Sequence, residues 1–122
     1  HDNANYVATG GDGRFVRLYD ITSGSVVRQL SGHYSPIWSL TSSSCGRLLA
    51  SGGVDGTVVV HDLHTSRALL AYRPKEMQLP VTSMAFSRVS NELAVATIDG
   101  HLRILNLDDI MQNINEPTFE PK

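Results

Sequence analysis

The chain has 122 residues, 41% of them apolar and 18% charged, an ordinary globular composition at the length of one average domain. Ten basic and twelve acidic side chains give a formal net charge of −2, which gathers no phosphates along a surface, so no direct binding of DNA or RNA is expected. Cys45 is the single cysteine, no Asn-x-Ser/Thr acceptor occurs, and no apolar run reaches the roughly 18 residues needed to cross a bilayer; these features point to a soluble protein of the cytosol or nucleus, without membrane partners.

The chain starts at His1, with no methionine and inside what proves to be a repeat, so it is expected to be a piece of something longer. Tyr6 to Thr9 and Phe15 to Tyr19 are runs of apolar, β-branched and aromatic residues on either side of Asp12-Gly13, read as two strands and a hairpin tip. Gly24 marks a turn before a strand at Val26 to Leu30. Ile37 to Thr41 and Leu48 to Ser51 flank the turn residues Ser42 to Gly46; Asp55-Gly56 then leads to Val58 to His61, and Thr65-Ser66 to Leu69 to Tyr72. Val81 to Ser87, a turn over Arg88 to Asn91, Leu93 to Ala96, Asp99-Gly100 and Leu102 to Leu105 complete ten strands, none with an internal Pro. From Asp108 to Lys122 the character changes: Asp108 is placed to cap a short helical turn carrying Ile110, Met111 and Ile114, and then four acids against one lysine, with two Pro, suggest an insertion or a loosely ordered end.

The Asp-Gly pairs at Asp12, Asp55 and Asp99 stand 43 and 44 residues apart, the period of four-stranded propeller blades. Asp-Gly suits the type I′ turn, which needs positive φ at both central residues. The reading is an all-β chain of about three four-stranded antiparallel blades, roughly 1–31, 32–73 and 74–107, followed by the acidic segment 108–122. Fewer than three complete blades cannot close a ring of typically about four to eight, so the remaining blades of the same chain, or a partner, are expected to cover the open edges.

Sharper chemical readings give way to plainer ones. Gly10, Gly11, Gly13 and Arg14 suggest a phosphate cradle, but the segment joins two strands and opens no helix. His61 and His64, with His33 or Cys45, suggest zinc, yet residues three apart on a strand face opposite sides. Ser42 to Ser44 sit at a turn, outside any nucleophile elbow. His33, His64, His101 and Asp99 share no catalytic spacing, so neither enzyme activity nor a cofactor or metal is expected. Arg14, Arg17 and Arg28 fall close together, either touching a partner or forming a rim cluster paired with Asp20. Trp38 lies in the first strand of its unit, where packing between blades is favoured over an exposed anchor.

Gly32-His33, Ser51, Asp55 and His61-Asp62 stand in an order that resembles the WD-repeat family. The resemblance implies a structural tetrad at His33, Ser51, Asp55 and His61, the last where a Trp is usual. In the first unit Thr9 and Tyr19-Asp20 match, with Asp12 one residue early; the third keeps Asp99 but has Val95, Leu105 and Asn106 elsewhere in the pattern, and Arg73 to Pro80 replaces Gly-His. Asn5 to Gly10, Val16 to Asp20, Gly24 to Arg28, Gly32-His33, Pro36 to Leu40 and Gly46 to Ser51 are, more narrowly, similar to the late blades of the TFIID subunit 5 family. This implies a helical N-terminal part, a seven-bladed ring, and a non-catalytic scaffold in the nucleus at RNA polymerase II promoters, with histone-fold subunits as neighbours and a SAGA-like complex as a second setting. A WD-repeat adaptor or ubiquitin-ligase substrate receptor is the alternative. Receptors of the cullin type often carry Arg two residues after the dipeptide Asp, where this chain has Thr22, His64 and Asp108. Arg14, Arg17, Tyr34, Trp38, Tyr72 and Arg73 are the candidate interaction surface.

Overall fold

The computed structural model describes residues 6–10, 14–43, 46–73 and 78–108. Ten strands follow one another: β1 (Tyr6–Thr9), β2 (Val16–Asp20), β3 (Val26–Leu30), β4 (Ile37–Ser42), β5 (Leu48–Gly53), β6 (Val58–Asp62), β7 (Arg67–Tyr72), β8 (Val81–Phe86), β9 (Glu92–Thr97) and β10 (Leu102–Asn106). All pairs are antiparallel neighbours in sequence, giving sheets ordered β1-β2-β3, β4-β5-β6-β7 and β10-β9-β8. Each run of alternating apolar residues has become a strand; only the middle unit shows four strands among the described residues. The tip at Asp12-Gly13, Cys45 and the expected helical turn after Asp108 lie outside the described residues.

The middle sheet is packed on both faces, which is why every residue of β6 is buried. Val58 and Val60 join Ala50, Leu70, Val81, Leu93, Val95, Leu105 and Leu107 in a core against the third sheet. On the other side Leu49 and Ile37 meet Val16 and Leu30 of the first sheet. Period-2 alternation thus serves two cores at once, and a polar residue on β6 needs a partner of its own. The third sheet closes on the second mainly through inner strands: β8 packs on β4 and β5. Gly52 permits this approach, since a Cβ there would fall 2.5 Å from Val81 Cγ1 and 2.6 Å from Ser39 Oγ.

The Asp-Gly turns differ from the expected type I′. Gly56 and Gly100 are left-handed, each with φ of 90°, but neither Asp55 nor Asp99 has positive φ. Gly56 N donates to Gly53 O (3.2 Å) and Gly53 N to Thr57 O (2.9 Å); Gly100 N and Thr97 N repeat this with Thr97 O (3.0 Å) and His101 O (3.1 Å). This is the three-residue loop, a type I turn closed by a left-handed glycine. The cause is the carboxylate: Asp55 Oδ1 accepts Thr57 N at 3.1 Å, and Asp99 Oδ1 accepts His101 N at 3.3 Å. A second turn recurs after β2, β6 and β10, where Thr22 N, His64 N and Asp108 N donate at 2.9 Å to Asp20, Asp62 and Asn106.

Register places the β3–β4 and β7–β8 connections and the β5–β6 and β9–β10 hairpins at one end, because Ile37 pairs with Gly53, Val58 with Tyr72, and Val81 with Thr97. A Cβ on Gly10 would lie 2.6 Å from Ile37 Cγ2, so the end of β1 sits there too.

Candidate interaction surface

The connection Ser31-Gly32-His33 between the first and second sheets is clasped from two strands. His33 Nε2 shares a 2.7 Å hydrogen bond with Ser51 Oγ of β5. From β6, His61 Nε2 lies 2.7 Å from Ser31 O; a carbonyl only accepts, so His61 carries its proton on Nε2 and donates. Between the two anchors Gly32 takes φ of 135°, and a Cβ there would stand 3.2 Å from Val59 Cγ1.

Of the four residues the resemblance groups together, His33 and Ser51 are bonded and His61 turns to the connector instead of to Ser51. Asp55 lies beside His33 across Gly53: a Cβ on Gly53 would meet Asp55 Oδ1 at 3.0 Å and His33 Nδ1 at 3.2 Å. Arg73 Nε stands 3.9 Å from Asp55 Oδ2. Burial is the main influence that depresses the His33 imidazole, to a pKa of about 4, with Asp55 opposing and His61 adding to the fall. Burial also holds His61 below its usual range, against the Ser31 carbonyl bond. For Asp55 burial acts upward, but the Thr57 amide and hydroxyl, the Ser35 hydroxyl and Arg73 together keep the carboxyl below its ordinary value. Both buried Nδ1 atoms, of His33 and His61, are without hydrogen-bond partners among the described residues.

Above this clasp the candidate contact residues gather at the same end. Tyr34 is 83% exposed in the β3–β4 connection and Trp38 is 54% exposed. Trp38 was expected to pack between blades; instead the pairing skips from Ile37↔Gly53 to Ser39↔Gly52, leaving it as a bulge residue aimed outward. A shallow groove of about 270 Å³, lined by Gly10 and residues 37–40, runs beside it. Arg14 and Arg73 are exposed, whereas Tyr72 is half-buried against the larger core with its hydroxyl 3.5 Å from Arg103 Nη1. The arginines do not form the expected rim cluster on Asp20. Arg17 Nε donates to Gln29 Oε1 at 3.3 Å, and Arg28 Nη1 crosses to Leu63 O (2.5 Å) and Ser66 Oγ (2.6 Å) in the second sheet. Sequence reasoning did not include Ile98 and Leu102, exposed at this same end, or the Asp99 carboxylate accepting from both Thr97 Oγ1 (2.7 Å) and His101 Nδ1 (2.5 Å). A Thr and a His two residues either side of a turn Asp were the available signal.

Among the described residues, no three His, Cys, Asp or Glu side chains gather as a metal site, and no helix is long and apolar enough to cross a membrane. This end of the sheets presents exposed aromatic and basic side chains, Tyr34, Trp38, Arg14 and Arg73, on a hydrogen-bonded turn scaffold.

Sheets of this order, meeting through their inner strands and repeating an Asp-closed hairpin, are propeller blades, and residues 24–62 match the family described as WD domain, G-beta repeat, so this stretch of the chain is a WD repeat. It is 34% identical over its whole length to Transcription initiation factor TFIID subunit 5 of Caenorhabditis elegans, of which it covers 19%. It is also 32% identical, over 84% of the chain, to the Periodic tryptophan protein 2 homolog of Schizosaccharomyces pombe, covering 12% of that protein. Small ribosomal subunit protein RACK1 of Neurospora crassa is 26% identical over 98% of the chain, which spans 39% of it. The chain thus spans between about a tenth and two fifths of the lengths of these relatives.

Proposed function

We propose that the chain contributes blades, roughly 1–31, 32–73 and 74–107, to a propeller that acts as a non-catalytic scaffold subunit of a TFIID-like nuclear transcription complex. The observation that carries this reading is the 34% identity with a TFIID subunit 5 along the entire chain, well beyond the 39 residues of the matched repeat. Other subunits, histone-fold proteins among them, would dock at the end that presents Arg14, Tyr34, Trp38 and Arg73. Exposed aromatic and arginine side chains on a rigid base lose little conformational entropy on contact and are enriched at binding hot spots.

Affinity purification of the full-length protein from nuclear extract tests this. Recovery of TFIID subunits, lost when Tyr34 and Trp38 are both replaced by Ala, is the expected result. Recovery of ribosome-assembly or ligase subunits in their place would overturn it.

A further inference from the structure

Ser66 is the one non-glycine residue with a left-handed backbone among the described residues, with φ of 63°. The matching turn of the first sheet has Gly24 there, with φ of 74°, and both amides donate at 2.7 Å to the equivalent Asp carbonyl, of Asp62 and of Asp20. A serine in this conformation carries a steric cost that glycine avoids. What the side chain adds is a contact across the sheet junction: Ser66 Oγ accepts from Arg28 Nη1 at 2.6 Å, and the same guanidinium reaches Leu63 O. The serine hydroxyl uses only a lone pair in that bond, so its O–H is not consumed. Residues 64–67 are exposed, and the next residue is Arg67. Neighbouring Thr65 instead turns its Oγ1 back to the Arg67 amide at 3.3 Å.

We propose that Ser66 is a phosphorylation site and that Arg28 is the built-in receptor for its phosphate, so that modification fastens the first sheet to the second. The donor is ATP on a Ser/Thr protein kinase: the bond from Ser66 Oγ to the γ-phosphorus forms, the bond to the β,γ-bridging oxygen breaks, ADP leaves with that electron pair, and the hydroxyl proton passes to the kinase's base. The product puts a near-dianion with three acceptor oxygens where one neutral oxygen already touches a guanidinium, the pairing that orders segments in other proteins.

Two measurements on the full-length protein test this. Mass spectrometry of the protein from its own cells finds phosphate on Ser66 and not Thr65; complete coverage of this peptide with no phosphate on Ser66 would overturn the proposal. Phosphoserine installed at position 66 slows amide hydrogen exchange in β3 and in residues 63–67 by about tenfold relative to the unmodified protein. That slowing vanishes in Arg28→Gln, a substitution at an exposed side chain; slowing that persists there, or none at all, refutes Arg28 as the receptor.

Discussion

His33 Nε2 and Ser51 Oγ, 2.7 Å apart and both buried, join the connector leaving the first sheet to the second strand of the next. Ser51 Oγ also donates to Val59 O at 3.4 Å, whereas His33 Nε2 has Ser51 as its partner. Ser51→Ala leaves a buried imidazole nitrogen unpaired and is expected to lower unfolding free energy by about 1–3 kcal/mol, and His33→Ala by at least as much. Urea denaturation of both single variants and the double variant checks this. The double loss should fall short of the sum of the singles, and strict additivity would show that the bond contributes nothing.

Acid should weaken the clasp before it touches the carboxylates. His33 is held at about pKa 4 in the fold by burial, below the 6.5 it has when unfolded, so the folded state favours the neutral ring. Its contribution to stability is full above pH 6.5 and is lost as pH falls from 6.5 towards 4, because the unfolded chain then binds the extra proton. His61 shifts in the same direction. Unfolding free energy, measured by urea denaturation, should therefore decline through this window, with a slope of at most about 1.4 kcal/mol per pH unit for each histidine. In His33→Gln the decline becomes shallower; a slope identical to that of the parent would exclude His33 as its source.

Trp38 and Tyr34 stand out of the fold, so their removal separates binding from stability. Replacing both by Ala should leave the unfolding midpoint unchanged while weakening partner capture at least tenfold, about 1.4 kcal/mol. A fall in midpoint comparable to that of Ser51→Ala would mean that these rings pack within the complete protein.

Gly52→Ala drives a methyl into Val81 and Ser39 at distances no relaxed side chain accepts. An expected cost of about 1–3 kcal/mol follows from overpacking. Thermal unfolding measures it, and Gly52→Ala combined with Val81→Ala should recover part of the loss by making room.

The ten strands were legible because local chemistry decides them. Alternating apolar runs, Asp-Gly pairs 43 and 44 residues apart and Gly or Ser turns act within a few residues of one another. What stayed hidden depends on register and on contacts between sheets. Trp38 faces outward because one unpaired residue in β4 re-aims it, and nothing in the run Ile37 to Thr41 announces a bulge. The Asp55 and Asp99 turns took their other form because the carboxylate caps an amide two residues on, a choice that the Asp-Gly pair alone leaves open. His61 reaches Ser31, and Arg28 reaches Ser66, across 30 and 38 residues of chain, distances at which sequence spacing says little.

The contact of Gly52 with Val81 lies where β5 of the second sheet meets β8 of the third. It acts as a pivot between the two sheets. A small change of side-chain bulk at the pivot is multiplied along the sheets into a larger displacement at the rim, so the girth of a few inner residues sets the angle at which neighbouring sheets stand. The bare backbone at Gly52 is thus one determinant of the angle at which these two sheets meet.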